Sequence, residues 1–407
     1  MTVNVKDRED LRRAWVTMCQ ELESAGHWVL DDLDDIDNPQ ELAEALRAVA
    51  RMAMMCLQQR MEFNDPDFPR FMRSCDDRYK YAGPDSYVNY MTAQVRGTAT
   101  YRVSVNHHGR PIQIGRFWTD EIKHNEDGSF ELQVGGEEAA ENWNPLRADD
   151  GEGPLKVPEL FPLAMGNFGG RLYYRDLQDL RPSTMNIERI DPDRPRYPEP
   201  LAPAKLADQI DSATELFHAI SRWWLERAVR IRTEYEPNVM GPPGLVPPGV
   251  PSYTPPKNWA VSPLYYGICC WELEEDEALL ITTPIPDVEY WSFQTHNTWW
   301  ESPENQHRQT SISNEHAHLD EDGQFRCVLS HVDPQVPNWL DVGGSRRGFV
   351  FYRWLRPVGD MPTPGALVVK IANLHEHLPS GHPHIDPQAR DEMMARRRKW
   401  YAARFQS

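Results

Sequence analysis

The sequence predicts an α+β protein that is mainly β: an antiparallel β-sandwich or jelly roll, in one unit or two, with N-terminal, central and C-terminal helices. Two observations support this fold class. Residues 259–370 contain short runs rich in aromatic and β-branched side chains, separated by turn signals, as in antiparallel sheets. Residues 204–234 repeat apolar side chains at helical spacing. With 407 residues, the chain is long enough for more than one core.

Changes of pattern along the chain predict five regions. A helical region comes first and is followed by a first antiparallel β region. A long helix with a Pro-rich connector then leads to a second β domain of jelly-roll type, and a helix closes the chain. The predicted bounds, in that order, are 1–80, 81–200, 201–258, 259–375 and 376–407.

Two helices are predicted in the N-terminal region. Over residues 8–24 one apolar stripe recurs at helical spacing, and it consists of Leu11, Trp15, Met18 and Leu22. The second helix begins after Asn38, a good N-cap residue, with Pro39 at the first helical position and Glu41 placed to bond back to the Asn38 backbone. This helix is apolar nearly all round, so we expect it to be buried between other elements.

The first β region begins with two runs that have the period of a strand. Residues 87–95 alternate between two faces, and a second such run follows Gly97. Because the runs lie so close along the chain, they are predicted to pair as a hairpin.

The long central helix is predicted to end at a segment that contains eight prolines, from Pro237 to Pro256. Such a segment can be neither helix nor central strand. It is either a connector between domains or a lid folded over a cleft, and the connector is the more frequent use of long Pro-rich segments. Near the C-terminus, Asp386 and Pro387 predict the start of the closing helix.

The charge of the chain argues against polyanionic partners. There are 43 basic and 62 acidic residues, a formal net charge of −19, which repels nucleic acid and anionic lipid. No window approaches the roughly 20 apolar residues of a membrane span. We therefore expect a cytoplasmic protein with no nucleic-acid or membrane partner, while a homo-oligomer remains open. The six cysteines form no CxxC pair and are expected to be reduced core thiols, with Cys269 and Cys270 on opposite faces of a strand.

The C-terminal half resembles the DUF1214 family of uncharacterised bacterial proteins. The residues that carry the resemblance are Tyr290-Trp291-Ser292-Phe293-Gln294, Asn297-x-Trp299, Leu319-Asp320-x-Asp322-Gly323, Asp333-Pro334, Asn338-Trp339-Leu340-Asp341, Gly348 and Arg353-Trp354. The resemblance implies a β-sandwich of jelly-roll type and brings no established reaction. In that family a histidine commonly follows the Asn-Trp-Leu-Asp motif, whereas Val342-Gly343-Gly344-Ser345 stands here.

Strand alternation divides residues 288–297 into two faces. Trp291, Phe293 and Thr295 lie on one face, and the other face is polar. The polar row consists of Tyr290, Ser292, Gln294 and His296. Such a row suits the wall of a ligand cavity, although a solvated outer face produces the same pattern.

Aromatic and ionisable residues follow the polar row along the chain. The set comprises Asn297, Trp299, Trp300, Glu301 and His307. It could bind a ring and transfer a proton, because His titrates near neutrality and a carboxyl beside Trp can have a raised pKa. Alternatively, the two Trp side chains anchor a strand end while Glu301 and His307 are solvated.

Asp341 and Arg353 are further candidates. Asp341 precedes two glycines, so its carboxylate is either catalytic or caps a sharp turn. Arg353 alternates with Phe349 and Phe351 on a strand. It is either a buried partner for Asp341 or an anchor for a substrate carboxylate or hydroxyl.

Metal and nucleotide sites have less support in the sequence. His316-x-His318, His375-x-His377 and His382-x-His384-x-Asp386 offer potential ligands. Since these clusters lie in or beside turn signals, surface histidines are the favoured interpretation, and neither a metal nor an organic cofactor is expected. No phosphate-binding or nucleophile motif occurs in a suitable context.

Two functional hypotheses follow. The first is a soluble bacterial enzyme that performs acid/base hydrolysis or elimination/hydration on a small ring-containing substrate, such as a sugar, terpenoid or steroid. Its predicted catalytic residues are His296, His307, Glu301 and Asp341. Its predicted substrate-binding residues are Tyr290, Gln294, Asn297, Trp299, Trp300 and Arg353. The second hypothesis is a non-catalytic protein that binds a small ligand or acts as a scaffold.

Overall fold

This computed structural model contains four sheets arranged as two pairs, with helices packed beside the second pair. The structure describes residues 4–75, 78–80, 82–106, 113–114, 117–118, 122–137, 140–144, 167–173, 183–244 and 264–404. The chain is a mixed α+β protein in which strands predominate, as the sequence predicted.

Four α-helices are present in the described residues. They are α1 (Val5–His27), α2 (Pro39–Glu62), α3 (Pro203–Glu234) and α4 (Pro387–Arg404). A π-helical turn, Trp28–Asp32, continues α1, and a 3₁₀ segment, Ile371–His377, precedes α4. Helices α1 and α2 both pack against α3. Two N-caps set the beginnings of α1 and α2, since the Asn4 and Asn38 side chains accept backbone N–H groups of the first turn.

Helix α1 faces α3 through Ala14 and Met18, whereas Trp15 of the predicted stripe is 58% exposed. Two details of the predicted helices were wrong. Helix α2 is not buried all round, since Met54 lies on a solvent-facing side. Glu41 does not bond back to the Asn38 backbone; its carboxylate accepts from the Asp37 N–H at 3.0 Å and from Arg347. Tertiary contacts decided each of these points.

Two sheets make up the first β region. The five-stranded sheet has the order β1-β2-β8-β4-β5 and the four-stranded sheet the order β7-β6-β3-β9. The strands are β1 (Met72–Cys75), β2 (Val88–Gln94), β3 (Tyr101–Asn106), β4 (Gln113–Ile114), β5 (Phe117–Trp118), β6 (Phe130–Val134), β7 (Trp143–Asn144), β8 (Asn167–Tyr173) and β9 (Thr184–Arg189). Both sheets contribute to one apolar core, which includes Ala93, Tyr101 and Leu132.

The predicted hairpin was wrong. Strand β2 pairs with β1 and β8, whereas β3 pairs with β6 and β9, so the two runs belong to different sheets. The turn between them contains an Ala99 N–H to Arg96 carbonyl bond of 3.0 Å and carries the chain across the core. Alternation specifies two faces of a strand but not its partner, and the shared core selected the crossing.

The second β domain is a sandwich of two four-stranded sheets. Their orders are β10-β16-β12-β13 and β15-β14-β11-β17. The strands are β10 (Leu264–Glu272), β11 (Glu277–Pro284), β12 (Tyr290–Asn297), β13 (Ser311–Ser313), β14 (Gln324–Ser330), β15 (Trp339–Asp341), β16 (Arg347–Leu355) and β17 (Gly365–Lys370). Pairing is antiparallel except between β14 and β15. The described sheets do not close into a barrel, and jelly-roll connectivity is not confirmed.

Both faces of the β10-β16-β12-β13 sheet are buried. Its inner face, including Trp291, Phe293 and Tyr352, fills the sandwich. Its outer face, including Phe349 and Phe351, packs under α2 and α3. Cys269 and Cys270 lie in these two different cores, as alternation predicted. All six cysteines are free, and five of them are buried.

The predicted Pro-rich connector lies partly outside the described residues. Its first part lies alongside β10, and the Asn238 and Gly241 N–H groups donate hydrogen bonds to carbonyls of that strand. Gly244 then pairs with Tyr266. Residues 245–256 belong to the part of the chain that is not described. Among the described helices, none has the long apolar stretch that crossing a membrane requires.

Candidate functional site

The polar row of β12 is buried. Tyr290, Ser292, Gln294 and His296 all point to the outer face of the sheet, and each is at most 1% exposed. Arg353 on the neighbouring strand β16 stands opposite Ser292 and is also buried. Of the two interpretations left open by the sequence, the solvated outer face is therefore wrong. We call these five residues the polar face.

A segment from the N-terminal half, residues 83–87, covers the polar face. Asp85 is its central residue and is buried. The Tyr290 hydroxyl lies 2.9 and 2.8 Å from the two Asp85 carboxylate oxygens, and the Ser292 hydroxyl donates to Oδ2 at 2.9 Å. The Tyr87 N–H donates to Oδ1 at 2.9 Å. Asp85 thus receives hydrogen bonds from both the strand and its own segment.

Arg353 is a buried cation, and not all of its N–H donors have an acceptor among the described residues. Its Nε lies 3.8 Å from Asp85 Oδ2, and its Nη2 donates to the Gly83 carbonyl. Its Nε and Nη1 have no hydrogen-bond partner among the described residues. The guanidinium lies 5.5 Å from the centroid of the Tyr266 ring and 5.7 Å from that of Phe351. Burial lowers the Arg353 pKa, but Asp85 and the nearby tyrosines outweigh it, so the net pKa is raised.

His296 is held as a neutral ring. Its Nε2 lies 3.2 Å from the Pro84 carbonyl. Since a carbonyl only accepts, Nε2 carries the proton and Nδ1 is left as an acceptor. Nδ1 has no hydrogen-bond partner in the described part of the chain. Burial, reinforced by Arg353, lowers the His296 pKa to about 3.

Helix α4 fastens the covering segment from outside. Gln294 Oε1 accepts from the Ser86 N–H at 2.9 Å and from its hydroxyl at 3.0 Å, which fixes the inner side. On the outer side, Tyr401 donates to the Ser86 carbonyl at 3.2 Å, and Arg397 donates to the Tyr87 hydroxyl at 3.2 Å. The segment is therefore clamped between the sheet and the C-terminal helix.

The residues after β12 turn away from the polar face. Asn297 Oδ1 accepts the Trp299 and Glu301 N–H groups, both at 3.0 Å, and so caps a turn. Trp299 donates its indole N–H to the Glu41 carbonyl at 2.8 Å. Trp300, at a φ of 63°, packs in the core under the helices. Both indole rings lie next to arginines of α3, which suits strand-end anchors.

Glu301 meets two charged residues of α2. Its Oε2 accepts from Arg51 at 2.8 Å, while its Oε1 has no hydrogen-bond partner among the described residues. Glu44, two turns before Arg51 in α2, is a neighbouring carboxyl. Burial, with a contribution from Glu301, raises the pKa of Glu44. We call Glu44 and Glu301 the carboxyl pair; the sequence patterns did not single out Glu44.

His307 and Asp341 lie elsewhere. His307 has a side chain that is 60% exposed and lies 3.2 Å from Glu304. Asp341 caps its glycine turn by accepting the Gly343 N–H at 2.8 Å, and it forms an ion pair with Arg308 at 2.9 Å. Arg353 therefore pairs with Asp85 and not with Asp341. The predicted catalytic residues lie in separate places, whereas Tyr290, Gln294, His296 and Arg353 are together.

The histidine clusters are dispersed. His316 lies 2.9 Å from the Tyr87 hydroxyl, and its pKa is lowered to about 3 by burial and by Arg397. His318 and His382 both approach Asp320, at 3.3 and 2.8 Å. Three of the other histidines, His375, His377 and His384, are exposed. Within the described ranges, no group of three or more His, Cys, Asp or Glu side chains is arranged to hold a metal ion.

A comparison with known protein families gives a match in the second β domain. Residues 273–358 match the family model described as "Protein of unknown function (DUF1214)". The matched segment makes up less than half of the chain. This region spans β11 to β16 and so includes the polar face, whereas Asp85 and α4 lie outside the DUF1214 match. A comparison with curated proteins gives no significant match.

Solved structures similar to this chain include two of bacterial proteins. An uncharacterized protein from Burkholderia cenocepacia is 24% identical, with a TM-score of 0.75, and the match covers 90% of this chain and 99% of that one. A protein from Vibrio parahaemolyticus is 12% identical, with a TM-score of 0.41 and coverage of 80% and 98%. The first similarity supports the fold and carries no functional assignment.

Proposed function

We propose that this chain binds a small molecule at the polar face. The supporting observation is the buried Arg353 guanidinium, two of whose donor atoms lack an acceptor among the described residues. Buried polar groups are hydrogen-bonded in the great majority of cases, and an unsatisfied charged donor is costly. A ligand oxygen beside Arg353 would remove that cost.

The groups on the polar face indicate the chemistry of the ligand. Arg353 offers N–H donors, and the neutral His296 ring offers an acceptor at Nδ1. A hydroxyl group could bond to both, and a carboxylate could bond to Arg353. The Tyr266 and Phe351 rings beside Arg353 supply apolar surface for a carbon skeleton. The proposed ligand is a small oxygen-bearing molecule that contains a ring.

Access to the polar face requires movement of the covering segment. The unpartnered atoms of Arg353 and His296 are enclosed in this conformation. Residues 83–87 are attached to the sheet by hydrogen bonds of Asp85, Ser86 and Tyr87 and by apolar packing of the Tyr87 ring. A ligand that supplies equivalent contacts could therefore exchange with the segment.

The binding proposal is tested with Arg353→Met and a matched control, Arg356→Met. Arg356 lies three residues further on and pairs with Glu289 at 3.0 Å, away from the polar face. Wild type and both variants are screened by thermal shift against sugars, terpenoid alcohols, steroids and aromatic acids, and hits are checked by native mass spectrometry. We expect hits that raise the Tm of wild type and Arg356→Met but not of Arg353→Met. A hit that shifts all three equally would contradict the site.

Acid/base catalysis is the second candidate, and the carboxyl pair favours it over His296. A pKa of about 3 makes His296 a weak base at neutral pH, whereas efficient proton transfer needs a pKa near the working pH. Glu44 has a raised pKa and adjoins Glu301, which is ion-paired with Arg51. Two carboxyls in different environments can divide the acid and base roles of hydrolysis or elimination.

The catalytic candidate is tested on any hydrolase or lyase activity found by substrate screening. Glu44→Gln and Glu301→Gln are each expected to lower kcat by about 10²–10⁴-fold. Glu304→Gln, which changes an exposed carboxylate of the same loop, is expected to leave kcat unchanged. Equal activity in all three variants would remove the carboxyl pair from the reaction.

A further inference from the structure

We propose that Asp85 occupies the position of a ligand carboxylate, so that the binding site is closed by a carboxylate of the chain itself and takes a small carboxylic acid in exchange. This deepens the proposed function and rests on it. It specifies the chemical class of the ligand and explains why the polar face is closed.

The donors around Asp85 come from two sources. Three of them belong to the second β domain. They are the hydroxyls of Tyr290 and Ser292 and the guanidinium of Arg353. Asp85 itself arrives from the N-terminal half, 205 residues before Tyr290. The sheet therefore presents a cradle of donors, and a separate segment supplies the carboxylate that fills it.

The cradle matches a planar anion with two oxygens. Among its members, Tyr290 reaches both oxygens and Ser292 donates to Oδ2, while Arg353 Nε forms an ion pair with Oδ2 at 3.8 Å. The Tyr87 N–H, which belongs to the covering segment and not to the cradle, donates to Oδ1. A carboxylate accepts several such bonds at once, whereas chloride offers one centre and a neutral amide offers only one oxygen. The cradle is expected to discriminate among these three by geometry and charge.

Charge balance also favours exchange between carboxylates. Asp85 is the carboxylate ion-paired with Arg353 in the described part of the chain. Removing it without replacement would leave a buried, uncompensated guanidinium, which is strongly unfavourable. A ligand carboxylate that replaces Asp85 leaves the buried charge unchanged. Exchange is therefore less costly than opening the segment for a neutral molecule.

Chemical rescue of Asp85→Ala tests the inference. The variant is titrated with sodium acetate or sodium formate, with sodium chloride at equal ionic strength as the reference, and Tm is followed by circular dichroism. The matched control is Asp341→Ala, which removes another buried aspartate whose partner, Arg308, is 47% exposed. We expect acetate to raise the Tm of Asp85→Ala with an apparent Kd on the order of millimolar, because the probe is very small. Asp341→Ala should show no such rise over chloride.

Two further arms keep the result decisive. If Asp85→Ala is unfolded without additive, it is refolded by dilution into acetate or chloride, and the folded signal is expected only in acetate. Asp85→Asn keeps the side-chain volume and blocks entry, so acetate should not raise its Tm above the chloride reference. The inference is overturned if acetate stabilises or refolds Asp85→Ala no better than chloride does, or stabilises Asp341→Ala equally.

The outcome separates the inference from the proposed function. Rescue of Asp85→Ala, combined with no ligand for wild type, would support the carboxylate cradle and contradict small-molecule binding as the function. Ligands of wild type that are all neutral, combined with no rescue, would contradict the carboxylate class and leave binding at Arg353 standing.

Discussion

The two faces of strand β12 are both buried but are stabilised in different ways. On the inner face, Trp291 and Phe293 pack against rings of the facing sheet, with Phe293 and Phe325 centroids 4.9 Å apart. On the outer face, Tyr290 and Gln294 depend on hydrogen bonds to a segment about 200 residues earlier. Apolar burial is non-directional and tolerates many partners, whereas each buried polar group needs a specific one. The ligand exchange that we propose therefore concerns the outer face.

The largest expected effect on stability comes from a substitution in the apolar inner face. Phe293→Ala should lower the free energy of unfolding by about 3–5 kcal/mol, because it removes a fully buried ring and leaves a cavity. Leu367→Ala on β17, at a position that is half exposed, is the control and should change it by no more than about 0.5 kcal/mol. Urea unfolding measures both. Equal losses would mean that the inner face is not the main source of stability.

The second expected effect is a loss of stability on acidification, caused by two buried histidines on the outer side of the sheet. The folded protein holds His296 and His316 neutral with pKa values of about 3, whereas in the unfolded chain both protonate below about pH 6.5. The contribution of these neutral rings to the free energy of unfolding is therefore present above pH 6.5 and is lost as the pH falls toward 3. Between pH 7 and pH 5 we expect a loss of about 2 kcal/mol for each ring.

Urea unfolding at several pH values checks this expectation. His316→Asn should remove about half of the pH dependence, and His307→Asn, which changes an exposed ring away from the polar face, is the control variant. A wild-type stability that is flat from pH 7 to pH 5 would contradict the buried neutral rings.

The smallest effect sharpens the comparison by loosening the covering segment only. Tyr401→Phe removes the hydroxyl that donates to the Ser86 carbonyl and should lower the free energy of unfolding by about 1 kcal/mol. The exposed Tyr197→Phe is its control and should be neutral. Hydrogen exchange is expected to accelerate at residues 83–87 and not in β12. Faster exchange across the whole sandwich would show that α4 supports more than the segment.

Local patterns predicted a substantial part of this structure. The N-cap at Asn38, the helix over 204–234 and the opposite placement of Cys269 and Cys270 follow from spacing along the chain, and the structure confirms them. The predicted hairpin and the predicted burial of α2 on all sides were wrong because each depends on what packs against the element. Asp341 was predicted either to catalyse or to cap a turn, and in the structure it caps one.

The sequence by itself determined that β12 has one apolar and one polar face, because alternation is a property of a single strand. Only the tertiary structure decided that the polar face is buried, that Asp85 fills it and that α4 holds the covering segment. These contacts join residues more than 200 positions apart, and no spacing rule reaches that far. Most groups of the polar face bond to a partner that only the folded chain brings near, since burial without a partner is costly, and the exceptions are two donor atoms of Arg353 and Nδ1 of His296.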